Sequence, residues 1–103
     1  MRVAGLQTAG TPGDMNANLR ELDQAAGEAR ALGADLLVTP ELFVTGYDIG
    51  EQLFDLARTD PLPAIKEIAT RHGLAILTGF AESAKAGLYN SAVMVTRDGR
   101  ELL

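Results

Sequence analysis

Two patterns of apolar residues alternate along the chain: short unbroken runs, and longer stretches in which apolar side chains return every three or four positions. Met1 to Thr8 is the first short run. It has apolar side chains at both parities (Val3, Ala4, Leu6) and is bounded by Ala9-Gly10-Thr11-Pro12-Gly13, which predicts a central strand covered on both faces. Asp14 or Asn16 then offers a helix N-cap. Leu19, Leu22, Ala26 and Ala29 share one face of the helix that follows, while Arg20, Glu21, Asp23, Gln24, Glu28 and Arg30 occupy the other. Gly33, able to take left-handed backbone at little cost, ends it. Asp35 to Thr39, holding Leu36-Leu37-Val38, reads as a buried parallel strand stopped by Pro40.

Phe43 to Gly50 has glycines and no clean period and reads as a loop, with a short helix following from Glu51 to Arg58. Asp60-Pro61-Leu62-Pro63 opens a further helix with Ile65, Ile68, Ala69 and His72 on one face, closed by Gly73. Leu74 to Thr78 is a third strand, Ser83 to Gly87 a turn, and Leu88 to Thr96 a fourth strand. It ends at the hairpin signal Arg97-Asp98-Gly99, with Arg100 to Leu103 starting the return. The order predicts an α/β fold: a mixed sheet, parallel at first and antiparallel at the end, with two or three helices.

A length of 103 residues makes one core, or part of one, the expectation. The chain is 47% hydrophobic and 22% charged, a balance that folds by burial and excludes wholesale disorder. The formal charge of -5, with no run of Lys or Arg, argues against nucleic acid as partner. No uncharged apolar stretch approaches the roughly 20 residues of a membrane span, and the N-terminus lacks a secretory signal, so the expectation is a cytoplasmic protein with no membrane association. The chain has no cysteine, which leaves it without disulfides, thiolate metal sites or a thiol nucleophile of its own. No metal or organic cofactor is suggested.

In open α/β sheets, ligands sit beyond the carboxyl ends of the parallel strands. After the first strand the Gly10-Thr11-Pro12-Gly13 loop could hold an anion on its N–H groups, but it lacks both the P-loop lysine and the three-glycine dinucleotide spacing, and an ordinary turn is favoured. The third strand ends in Thr78, Gly79 and Glu82, without the aspartates of a phosphoacceptor site. The second is different, for there Glu41 stands between Pro40 and Leu42-Phe43-Val44. A carboxylate enclosed by apolar neighbours is desolvated, which raises its proton affinity and suits it to act as a base. The plain alternative is a buried acid paired with Arg2 or a loop N–H. Lys66 and Lys85 read as solvated surface. His72, at a helix C-terminus, reads as structural.

The stretch Pro40-Glu41-Leu42-Phe43-Val44-Thr45-Gly46-Tyr47 resembles the first catalytic motif of the nitrilase, or carbon–nitrogen hydrolase, superfamily. Val3-Ala4-Gly5-Leu6-Gln7, Asn18-Leu19, Gly79-Phe80-Ala81-Glu82 and Leu88-Tyr89-Asn90-Ser91-Ala92 extend the likeness over the whole chain. The resemblance implies an αββα sandwich that dimerises, and hence a homo-oligomer. It also implies hydrolysis of a small amide or nitrile by a glutamate, a lysine and a cysteine. Glu41 matches the glutamate, the general base. Gly46 and Tyr47 would shape the loop beside it, and Asn90 would hold local backbone. On this reading residues 1–103 are the N-terminal segment of one hydrolase domain, stopping short of the lysine and cysteine motifs. The segment would be inactive by itself and would pack against the remainder of its own domain. The other reading is a non-catalytic α/β ligand-binding or interaction module.

Overall fold

Asp14 starts the first helix by accepting, through Oδ1, a hydrogen bond from the Ala17 N–H at 2.9 Å, which satisfies one of the orphan donors of the first turn. In the computed structural model of the chain, which describes residues 1–45, 60–84 and 87–102, this helix, α1, covers Met15–Ala31. It ends where Gly33 turns left-handed at φ 84°. The expected helix over 51–58 lies outside the described residues. The second described helix, α2, covers Leu62–His72 and closes on Gly73 at φ 69°. Ahead of it, the Asp60 carboxylate accepts from the Leu62 N–H at 2.9 Å.

The strands are β1 (Val3–Gly5), β2 (Leu36–Val38), β3 (Ala75–Ala84) and β4 (Gly87–Val95), and they form one sheet in that order. The first two pairings are parallel and the third is antiparallel. Beyond β4, Leu102 N–H donates to Met94 O at 2.8 Å and Gly99 N–H to Thr96 O at 2.9 Å, the return predicted after Arg97-Asp98-Gly99.

Two boundaries differ from the sequence reading. β1 is an edge of the described sheet and not a central strand, with Val3 55% exposed. Apolar side chains at both parities carry no information about whether a neighbouring strand is present. Residues 83 and 84 continue β3, where a turn was expected, because Ser83 pairs with Leu88 and Ala84 with Gly87. Ladder hydrogen bonds to β4 outweigh the poor strand propensity of Gly79, Glu82 and Ser83.

Register assigns the sheet's two faces. Leu37, Ile76, Val93 and Val95 join Leu22, Ala26, Ile65, Ile68 and Ala69 of the helices in one buried cluster. The opposite parity places Val3 beside Leu36 and Ala75, and Val38 beside Leu77 and Met94. These side chains are exposed or half-buried, so the second face of the sheet is apolar and open.

The helices are tied to each other at their solvent edge. The Asp23 carboxylate accepts from Arg71 at 2.8 Å and lies 2.6 Å from His72 Nε2. Gly27 leaves room for the imidazole, since a Cβ there would stand 3.2 Å from its Cε1. His72 is thus accounted for structurally. Among the described residues no helix is long and apolar enough to cross a membrane.

Candidate active site

Leaving β2, Thr39 donates its N–H to Leu77 O at 3.1 Å, and four residues after Pro40 the Val44 N–H reaches Gly79 O at 3.0 Å. Between these two anchors the chain makes an excursion from the edge of β3. Phe43 N–H closes a turn onto Pro40 O at 3.2 Å, and Leu42, at φ 53°, is the one described non-glycine residue in left-handed backbone. Positive φ at a bulky residue costs of order 1 kcal/mol and persists only where its surroundings enforce it.

The enforcement is visible on each side. Leu42, Phe43 and Val44 are buried, Thr45 accepts from Ala81 N–H through Oγ1 at 3.1 Å, and its carbonyl accepts from Gly13 N–H. Beneath the turn lies Gly79, where a Cβ would stand 2.9 Å from the Leu42 amide nitrogen and 3.2 Å from Ser91 O. Only a residue without a side chain lets the Glu41–Leu42 backbone cross β3 at this height.

The turn sends Glu41 one way and its apolar neighbours the other. Its side chain is exposed, in contrast to the enclosed carboxylate expected from Leu42-Phe43-Val44. Those three side chains enter the core, and adjacent residues of a tight turn do not share an environment. Arg2 is not its partner either. The Arg2 backbone N–H donates to Asp35, holding that carboxyl below its usual range, and the guanidinium caps the Leu32 carbonyl at 2.7 Å.

Glu41 meets Asn90, whose Nδ2 donates to Oε1 across 49 positions of sequence. Both residues border a cavity of about 220 Å³ lined also by Thr39, Leu77, Thr78 and Ala92. Thr39 and Thr78 join their hydroxyls at 2.6 Å on its wall. The site therefore combines one carboxylate, one amide that bonds it, and an adjacent space just past the carboxyl end of β2, over the middle of β3 and β4. Gly46 and Tyr47 lie outside the described residues. Among the described residues no three His, Cys, Asp or Glu side chains come together as a metal-ligand set.

One supporting residue entered the sequence reading only as part of the family likeness, with no role given to it. Asn18 is fully buried within the stripe Met15, Leu22, Ala26 and Ala29. It accepts from Thr11 N–H at 2.7 Å and donates to Thr11 O and Val44 O, both at 3.0 Å. This clamp fastens the loop after β1 to the segment that follows Glu41. It also disposes of the anion-binding option, since Gly10, Thr11, Gly13 and Asp14 N–H groups all have partners within the chain. The signal available was a polar residue three positions after Met15 and four before Leu22, on the buried face. Asn18→Ala orphans one buried N–H and two carbonyls, and an expected loss of about 2 kcal/mol should appear as a lower urea midpoint with unchanged slope.

Residues 2–102 match the family Carbon-nitrogen hydrolase. The chain belongs to the carbon–nitrogen hydrolase family. Over 99% of its length it is 41% identical to a Pseudomonas protegens protein designated "Hydrolase in pqqF 5'region", and over 96% it is 33% identical to an (R)-stereoselective amidase of a Pseudomonas species. It spans 37% of the length of each, so it corresponds to well under half of these hydrolases. All of it superposes, at TM-score 0.89 and 28% identity, on 42% of a glutamate-to-glutamine variant of the amidase from Nesterenkonia sp. AN1, solved with acrylamide added to its active-site cysteine. The four-stranded mixed sheet and its helices thus match the N-terminal part of a nitrilase-fold hydrolase, as the sequence predicted.

Proposed function

We propose that residues 1–103 are the N-terminal segment of a hydrolase that cleaves the C–N bond of a small amide or nitrile, and that Glu41 is its general base. A cysteine and a lysine come from the remaining polypeptide. In the attack step Glu41 takes the thiol proton, and the sulfur bonds to the amide or nitrile carbon while the lysine offsets charge on the substrate oxygen or nitrogen. In the amide case Glu41 then returns the proton to the leaving amine, and water releases the acyl group from sulfur. No metal or organic cofactor enters this sequence of steps.

The observation that carries the reading is Glu41 itself, held by Asn90 at the edge of a cavity just past the carboxyl end of β2. The exposed carboxylate and the open apolar face of Val3, Leu36, Val38, Leu77 and Met94 then have one explanation: the rest of the domain packs there, covering the face and excluding water from Glu41. The names of the relatives, amidases among them, support amide as the substrate class.

The test uses the complete protein and a series of short aliphatic amides and nitriles, with ammonia release as readout. Iodoacetamide is expected to abolish turnover, while the 103-residue chain, lacking cysteine, neither turns over substrate nor takes up label on sulfur. Turnover that survives complete thiol alkylation would overturn the proposal.

A further inference from the structure

We propose that Asn90 is a positioning residue for Glu41: it holds one carboxylate oxygen so that the other faces the cavity as the proton acceptor. The inference rests on Glu41 being the base. Asn90 lies in β4 opposite Ala81, at the parity shared with Ala92 and Met94 on the open face of the sheet. Asparagine is disfavoured in strands, and an exposed strand position has no need of a buried-group partner. What the side chain does is donate from Nδ2 to Glu41 Oε1. A glutamate on an exposed turn otherwise samples several rotamers, only a fraction of which aim at a given proton. A donor fixed on a paired strand removes that freedom, and because it engages Oε1 it leaves Oε2 as the oxygen to take the proton. The hydrogen bond thus defines which oxygen works and where it stands.

The experiment measures kcat and KM of the complete enzyme. Asn90→Ala is expected to lower kcat by roughly ten- to a hundred-fold with KM within about two-fold, since alignment and not substrate contact is lost. Asn90→Asp keeps shape but sets a second carboxylate against Glu41, and its loss should exceed that of the alanine variant. In the Glu41→Gln background turnover is already lost, so the readout is the melting temperature: the aspartate substitution should lower it beside Glu41 and not beside glutamine, which is uncharged and offers its own donor. A residue that merely holds β4 together would show the same fall in melting temperature in both backgrounds. Near-normal kcat for Asn90→Ala, with Glu41→Gln inactive, overturns the positioning role and leaves the base assignment standing. Normal turnover by Glu41→Gln removes both. Should the alanine variant fail to fold, the isosteric aspartate variant and its double mutant decide the question.

Discussion

Replacing Glu41 by glutamine is expected to reduce kcat/KM of the complete enzyme by about 10³-fold or more while leaving the folded state nearly unchanged. The two halves of that expectation have separate origins. Proton transfer by a positioned side chain contributes about 10²- to 10⁴-fold, and an amide cannot take a proton from a thiol at neutral pH. Glutamine keeps the volume, and its carbonyl oxygen still accepts the Asn90 hydrogen bond. With volume and that contact kept, the melting temperature is expected to stay close to wild type. Steady-state ammonia release read beside a thermal melt separates these effects. Retained turnover would take Glu41 out of the chemistry, and lost turnover with a collapsed melting temperature would make it architectural.

Local signals carried most of the fold. Asp14 as cap, Gly33 and Gly73 as left-handed terminators, and the apolar run 36–38 each act within a few residues, and each was legible for that reason. What escaped depends on partners distant in sequence. The extent of β3, for one, is set by β4. At the site, Glu41 was recognisable as a motif residue, but its exposure was not, because Leu42 at φ 53° turns the following apolar side chains away from it. Leucine gives no hint of left-handed backbone. Asn90 was legible only as part of a motif, and its hydrogen bond to Glu41 closes a loop of 49 residues that no spacing rule reaches.

Gly79→Ala should damage the same enzyme through one methyl group. The added Cβ would stand 2.9 Å from the Leu42 nitrogen and 3.2 Å from Ser91 O, both backbone atoms, so no side-chain rotation relieves the clash. One of the two neighbours must yield. Ser91 belongs to a ladder paired from Ile76↔Val95 to Ala84↔Gly87, whereas Leu42 sits in a turn already at positive φ. The turn is the softer element, and it carries Glu41. Overpacking of this kind costs about 1–3 kcal/mol, and displacement of a catalytic group by about 1 Å costs about 10²-fold in rate. The variant is therefore expected to melt lower and to lose about two orders of magnitude in kcat. If Gly79→Ala kept full turnover, the Glu41 turn would not be pinned by its approach to β3, and the steric account of how this sheet aims its carboxylate would fail.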